Sequence, residues 1–482
     1  MISIKFLVEH SYLMRISRHP ILSFDRGKKI TFTFNGKKID AYENETVASS
    51  LTAAGINILS RSIKHNRPRG FFCGIGKCSS CLMTVDGVPN VKTCVTPVKD
   101  GMIVESQDGK GNLPENKEFK SKKETIYADV AVVGAGPAGL SAAITASKYG
   151  ANILLIDENP VAGGQLIKQT HKFFGSKEHK AGIRGIEIAK RFLNEIENSN
   201  VNLLLNAGVI GYYKENSHML VVVQNSKFIK VYSKKIIVAT GASENMLMFP
   251  GNDLPGVVGA GGVQTLMNVY GVRPGNNVLM VGAGNVGLIV SYQLMQAGIN
   301  VKMVVEAMPK IGGYIVHAAK LCRLGVPILT SHTIKYAYGN GNVEGAKIVK
   351  LENWKEVEGS EFDVPADMIC LSVGLTPTCE LLFQAGCETK YVPELGGWVA
   401  VHNRNLETSV EGIYVAGDCS GIEEASTAMM EGRIAGIDSA EKLGFKIDEK
   451  EKKDAFKSLK ILRNGPFGEK PRAGKEKMWG RK

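Results

Sequence analysis

At 482 residues, 44% apolar and 22% charged, the chain has a globular composition and is too long for one core, so two to four domains are expected. The net charge of +12 is lopsided: thirteen Lys/Arg against six Asp/Glu lie between Lys446 and Lys482, and no zinc finger, RRM or similar motif is present, which argues against nucleic-acid binding. No run nears the ~18 apolar residues of a membrane span, and a start broken by Lys5, Glu9, His10 and Arg15 does not read as a secretory signal, so a cytoplasmic protein without a membrane span is expected.

From Lys29 the sequence alternates Ile30, Phe32 and Phe34 with Thr31 and Thr33 and turns at Asn35-Gly36, which predicts a β-hairpin. A short helix from Glu45 to Ile56, a cysteine loop and a strand over Leu82–Val85 complete a small β-grasp-like domain over 20–106. Within it Cys73, Cys78, Cys81 and Cys94 read C-x4-C-x2-C-x12-C, and the first three match the spacing of plant-type [2Fe–2S] ligation. Soft thiolates suit iron–sulfur centres, and Gly74 and Gly76 let the loop wrap so that backbone N–H groups point at sulfur. A structural zinc, which usually shows two separated C-x2-C pairs, and inert thiols are the alternatives. The other five cysteines, from 322 to 419, read as small buried apolar residues, since an odd count in a long chain is no disulfide framework. Residues 107–125 are polar and Lys/Glu/Gly-rich and read as a linker.

An apolar strand, Ala128–Val133, then leads into Gly134-Ala135-Gly136-Pro137-Ala138-Gly139, a small-residue helix to about Tyr149 and a second strand, Asn152–Ile156. This is the context a dinucleotide-binding glycine loop requires. Gly134 permits the tight turn, Gly136 admits a pyrophosphate to the backbone, Gly139 lets helix and strand pack, and the helix N-terminus favours the phosphate charge. Asp157 ends the second strand about 20 residues on, where a carboxylate bonds ribose hydroxyls; Glu158 is the adjacent candidate. The unit recurs: strand Asn277–Val281, Gly282, Gly284 and Gly287 of GAGNVG, helix Leu288–Ala297, strand Asn300–Val305 and then Glu306. A carboxylate there favours the free 2′-OH of NAD over the 2′-phosphate of NADP, and Ala307–Lys310 lacks an Arg pair for that phosphate. The alternative is an inherited loop that no longer binds nucleotide catalytically.

Three further segments suggest that the first site takes a flavin: Gly163-Gly164-Gln165, Ala239-Thr240-Gly241 at the end of strand Lys235–Ala239, and Tyr414-Val415-Ala416-Gly417-Asp418 before a helix near Glu423. This set resembles the flavoproteins with two dinucleotide-binding domains, the thioredoxin reductase-like and glutathione reductase-like class. The resemblance implies that Asp418 bonds the ribitol or phosphate of FAD and that the following helix points its positive end at the flavin. It also implies an α/β fold of two interleaved Rossmann-like domains: 126–249 with 366–445 for FAD, and 250–365 for NAD. The second module has no C-x2-C pair, so disulfide reduction is not expected.

The whole of 20–445 is similar to the α-type subunits of heteromeric amine and amino-acid dehydrogenases: sarcosine oxidase α, dye-linked proline dehydrogenases, opine oxidases and hydrogen cyanide synthase. The residues that carry this are Ser60-Arg61-Ser62-Ile63-Lys64-His65-Asn66-Arg67-Pro68-Arg69-Gly70, the cysteine segment with Val91–Val95, and Pro250-Gly251-Asn252-Asp253-Leu254-Pro255-Gly256-Val257. The resemblance implies a partner β-type subunit with its own FAD that takes the hydride from the amine, in some members an FMN between the subunits, and onward relay to NAD or another acceptor. Many relatives carry extra cysteines after the FAD domain. This chain has none in its basic tail, 446–482, so a second cluster is expected to be absent or to sit on a further small iron–sulfur subunit. Some relatives hold NAD or ATP in the first site. The rival readings are a self-sufficient NADH:acceptor oxidoreductase and a non-catalytic nucleotide-holding scaffold. His65, His317 and His402 are isolated and read as structural or solvated, and the tail as solvated surface or partner contact.

Overall fold

The computed structural model describes residues 14–107, 109–112, 121–173, 179–224 and 227–480. It divides into two compact units, 1–117 with 244–374 and 118–243 with 375–482. Among the described residues no helix is long and apolar enough to cross a membrane.

In the first unit the predicted hairpin forms from strands Lys29–Phe34 and Lys37–Tyr42. Its inward residue Phe32 is fully buried. The hairpin's first strand pairs in parallel with Ile103–Ser106, which pairs with Leu82–Val85, and Val88–Lys92 closes the five-stranded sheet. The helix is shorter than expected, Val47–Ala53: Thr46 caps it, and Thr46 and Ser49 form a reciprocal capping box. The unit also holds a parallel sheet in the order Val257–Gly259, Met368–Leu371, Asn277–Val281, Asn300–Glu306, Ile328–Thr330, and an antiparallel sheet built on His332–Tyr338, Gly345–Glu352 and Phe362–Pro365. The central strands of the parallel sheet, Met368–Leu371 and Asn277–Val281, are buried, as expected where such a sheet is covered.

These two layers share cores. Cys81, Cys94 and Met83 of the small domain pack in one cluster with Met280, Ala283 and Leu288 of the second glycine module. Phe72 and Cys73 join Leu279, Val281 and Val305 in another. The contact is backbone on backbone: the Gly259 N–H donates to the Phe72 carbonyl at 3.2 Å. A Cβ on Gly262 would run into that same carbonyl.

The second unit is built on two long parallel strands, Lys122–Val133 and Lys227–Val238, in register from end to end. The expected linker 107–125 lies partly outside the described residues, and its last four residues belong to the first of these strands. Ile153–Ile156 and Val201–Leu204 extend the parallel part on one side. Ile413–Val415 pairs with the end of Lys227–Val238.

The tail corrects the expectation of solvated surface. It forms helices Glu449–Asn464 and Glu469–Met478, the first capped by Asp448. Lys475 is buried. The reading of the five later cysteines as buried holds for Cys370, Cys379, Cys387 and Cys419, whereas Cys322 is exposed at the end of a surface helix.

Gly262→Ala forces a methyl against the Phe72 carbonyl and should cost about 1–3 kcal/mol of stability, the usual range for overpacking. Calorimetry of the purified protein measures this as a lowered unfolding temperature, and an unchanged temperature would show that the two layers part easily.

Candidate functional site

The cysteine loop turns at Gly74 (φ +64°) and Gly76 (φ +71°), a left-handed conformation that favours glycine. Cys73, Cys81 and Cys94 are buried and Cys78 is half-buried. Hydrogen bonding among the neighbouring thiols lowers Cys73 and Cys81 below the usual thiol range and, together with burial, pushes Cys78 and Cys94 up. Backbone N–H groups of Ile75 and Cys94 approach the sulfurs of Cys73 and Cys81 at 3.5 and 3.4 Å. Four thiolates this close repel one another unless a cation neutralises them. Among the described residues no three His, Cys, Asp or Glu side chains are arranged around a single ion. Four soft cysteine sulfurs with C-x4-C-x2-C spacing, three of them buried, are the donor set such a cluster needs, so the residues fit a [2Fe–2S] cluster.

In the second unit four segments far apart in sequence converge. A Cβ on Gly134 would run into the Ala239 carbonyl, and one on Gly139 into the Gly134 carbonyl, so both glycines are required by packing. Gly136 differs: the one atom near its Cβ position is the Gly164 Cα at 4.0 Å. That leaves room in front of the loop. Helix Pro137–Lys148 starts at Gly136 without a side-chain cap, so its first N–H groups face that space. The Gly163 N–H donates to the Ala135 carbonyl at 2.8 Å, which lays Gly163 and Gly164 beside the loop, with Gln165 exposed. Gly417 stands against Ala138, where a Cβ on the glycine would lie 2.8 Å from the alanine Cβ. Helix Ala425–Lys442 packs on the same turn through the Ser141 hydroxyl, which donates to the Met429 carbonyl at 2.8 Å. Thr240 is tied by its hydroxyl to the Thr378 carbonyl at 2.7 Å, and Thr378 donates back to Gly241. An open, uncapped glycine cradle with these flanks fits the pyrophosphate of FAD.

Asp157 has local duties that spacing did not show. One oxygen accepts from the Ala135 N–H at 2.6 Å, the other from the Asn159 N–H at 2.8 Å. It braces the glycine loop, and its remaining lone pairs are what a ribose could use. Glu158 beside it is exposed. The second module repeats the device. Glu306 accepts from Ala283 at 2.8 Å and from Met308 at 3.0 Å. Gly282 and Gly287 are closed in by the Ser372 and Gly282 carbonyls, while nothing lies within 4 Å of a Cβ on Gly284. Helix Asn285–Gln296 is likewise uncapped, and Gly312 and Gly313 both donate to Ala283, as Gly163 does to Ala135. The Gly312-Gly313 segment is thus the counterpart of Gly163-Gly164, a correspondence visible in the sequence as a GG pair after each ribose carboxylate.

Sequence reasoning missed a charged network under the Gly417–Ser420 turn. Glu431, 1% exposed, accepts from the Gly417 N–H at 2.8 Å and the Ser420 hydroxyl at 2.7 Å. Its other oxygen takes Arg463 at 2.5 Å and Lys475 at 3.3 Å. Lys475, 1% exposed, also donates to the Ser420 carbonyl at 2.9 Å and contacts His402 at 3.1 Å. Arg463 forks onto Glu423. Burial alone would raise the Glu431 pKa, but Lys475 and Arg463 outweigh it and hold the carboxyl at about 2. Burial and Lys475 press His402 down to about 3, so it is neutral and structural. His317 is buried in its helix and His65 is exposed. Asp418 moves the other way: burial, with Glu431 and Glu423 nearby, raises it to about 7.

Removing a central carboxylate from buried cations costs about 3–5 kcal/mol. Glu431→Leu should lower the unfolding temperature and the flavin retained through gel filtration; retention equal to the parent would separate the network from the turn. Asp418 has a folded pKa above its unfolded one, so its contribution is complete below pH about 4 and is lost as pH rises through about 7. The flavin-free protein should lose part of its stability over that interval, and Asp418→Asn should flatten the profile measured by denaturant unfolding.

Residues 128–432 match the pyridine nucleotide-disulphide oxidoreductase family, and 27–109 match the 2Fe-2S iron-sulfur cluster binding domain. The chain is 26% identical over 457 residues to the alpha subunit of sarcosine oxidase from Corynebacterium sp. (strain P-1), covering 90% of this chain and 46% of that protein. It is 28% identical over 330 residues to an opine oxidase subunit of Agrobacterium tumefaciens (strain Ach5), covering 64% and 65%. The crystal structure of L-proline dehydrogenase from P. horikoshii superposes with a TM-score of 0.72 at 25% identity, over 92% of this chain and 79% of that one. The chain spans about half the length of the sarcosine oxidase subunits it matches. Its cofactors are FAD and a [2Fe–2S] cluster. The chain belongs to the pyridine nucleotide-disulphide oxidoreductase family and is an iron–sulfur flavoprotein oxidoreductase similar to the sarcosine oxidase α and opine oxidase subunits.

Proposed function

We propose that this chain is the electron-transfer subunit of an amine or amino-acid dehydrogenase complex, working in the cytoplasm to link a partner flavin subunit with NAD or another acceptor. When bound, flavin exchanges electrons in pairs or singly and the cluster one at a time, which is the chemistry a relay needs. Gly134, Gly136 and Gly139 with the uncapped helix behind them would hold the FAD pyrophosphate. Asp157 keeps that loop in shape and, with Glu158, faces the ribose. Asp418, on a turn braced by Glu431, would orient the ribitol. Gly282, Gly284, Gly287 and Glu306 would hold NAD(H), and Cys73, Cys78, Cys81 and Cys94 the cluster. On this reading the domains are 20–106 for the cluster, 126–249 with 366–445 for FAD and 250–365 for NAD, except that strand Met368–Leu371 lies in the sheet of the second glycine loop, so that the boundaries fall nearer 243 and 374.

The observation that carries the reading is the shared core of the first unit. Cys73 packs in one cluster with Leu279 and Val281, the strand that feeds the second glycine loop. A cluster set into the floor of a nucleotide module is arranged to pass electrons, and a plain scaffold has no use for it. The relatives from sarcosine oxidase and opine oxidase are each named as one subunit of an enzyme. That supports a hetero-oligomer in which amine chemistry belongs to a separate FAD-containing β-type subunit. The same reading accommodates an FMN at the subunit interface and a further small iron–sulfur subunit.

Anaerobic titration separates the choices. NADH should bleach the flavin, and NADPH should be at least about tenfold weaker because Glu306 opposes a 2′-phosphate. Bleaching with full turnover by the isolated chain would favour the self-sufficient oxidoreductase, and loss of the amine-dependent reduction on removing a co-purified flavin subunit supports the relay. Cys81→Ser should abolish the iron and sulfide content and the visible absorption of the cluster while leaving FAD bound.

A further inference from the structure

The segment Ser60–Gly70 has so far taken no part in the function. It holds Arg61, Lys64, Arg67 and Arg69 and no acidic residue. It folds as a tight hairpin in which Ser60 pairs with Arg69 and Arg61 with Pro68. The hairpin is fixed on both sides. The Ser60 hydroxyl donates to the Ser80 carbonyl at 2.7 Å, which ties it to the cysteine loop. Asp253 takes Arg69 at 2.8 Å and Arg67 at 3.4 Å, which ties it to the loop before strand Val257–Gly259. A Cβ on Gly70 would come within 2.8 Å of the Pro255 Cα, so the two loops meet backbone to backbone.

The hairpin borders a cleft of about 460 Å³ whose floor includes Cys78. Cys78 is the one half-buried member of the four cluster cysteines, the other three being buried. The described residues that line the cleft include Arg61, Arg69 and Lys110 and no acidic side chain. At its rim Arg61, Lys64 and Arg67 are exposed, and Ile63 presents an apolar side chain that is 66% exposed. An exposed aliphatic side chain on a hairpin rich in cations is the composition of a recognition patch: charge steers the encounter and the apolar contact seats it.

We propose that this basic cleft is the docking surface through which electrons pass between the cluster and a redox partner, and that the partner offers it a carboxylate-rich face. The inference rests on the relay reading above and adds to it the site and charge of the contact. One electron crosses per encounter: the reduced protein loses it at the Cys78 side and the partner gains it. Asp253 neutralises part of Arg69 and Arg67 and holds them in place, which leaves Arg61, Lys64 and Lys110 to meet the incoming anion.

The test uses the full-length holoprotein in its oxidised form, with isoleucine δ1 methyls labelled, and titrates it with hexacyanochromate(III), a redox-inert paramagnetic trianion. The Ile63 methyl should broaden at a lower concentration than that of Ile103, which is 54% exposed on the same domain. The double substitution Arg61→Gln, Lys64→Gln should remove the preference. In parallel, pre-reduced holoprotein reduces ferricyanide to ferrocyanide by one electron. At low ionic strength the double variant should slow this step about tenfold, the order expected for lost steering, while the rate with the cation hexaammineruthenium(III) does not fall. Equal broadening of Ile63 and Ile103 in the parent protein, or a ferricyanide rate untouched by the double substitution, overturns the proposal. Protein that binds no iron would instead sink the relay reading, and the methyl titration would still report whether the cleft attracts anions.

Discussion

Close approach of one backbone to another is the constraint on which the other features rest. At Gly134, Gly139, Gly282 and Gly287 a single methyl would strike a carbonyl, so the turn, the strand and the helix meet only because no side chain stands between them. At Gly136 and Gly284 the opposite holds: the protein leaves the space open, and a phosphate can reach the uncapped N–H groups of the helix. The same pattern occurs in both modules, down to an acidic side chain that accepts from the alanine between the first two glycines. Each cradle thus has a backbone shape set by exclusion, and the carboxylates keep that shape.

The order of segments along the chain matters as much as their content. Residues 244–374 return to the small domain, and 375–482 return to the first glycine module. The result is that the cysteine loop shares its core with the second nucleotide module, through Phe72, Cys73, Leu279 and Val281. A mobile ferredoxin-like domain on a tether would search for its partner. Here the thiols are held where the Phe72 carbonyl accepts from Gly259, and movement of one layer costs the packing of the other.

The tail shows how charge acquires a fixed place. Lys148, Tyr149 and Arg433 converge on Glu451 of the first tail helix, which fastens it over the glycine helix and the helix after Asp418. Arg463 and Lys475 then reach Glu431, which holds the Gly417 N–H. Each buried charge in this network has an opposite charge or a hydroxyl beside it, which is the condition under which burial is tolerated.

The sequence alone determined the elements and their chemistry where spacing is local. The hairpin at Asn35-Gly36, strand Leu82–Val85, strand Asn277–Val281, both glycine loops and the four cysteines follow from residues within a few turns of one another, because periodicity, turn type and ligand spacing are short-range physics. The work of Asp157 was half legible: its position was clear, but its partners Ala135 and Asn159 depend on how the loop folds back. Lys475 was illegible, since a lysine in a basic run is solvated unless a carboxylate waits for it, and Glu431 lies in a different helix. The tertiary structure alone decided which thiol reaches the surface, which cations line the cleft beside it, and that the cysteine loop and the second glycine module occupy one core. Those are matters of burial and of contact between distant segments, and burial is a property of the packed chain that no local pattern encodes.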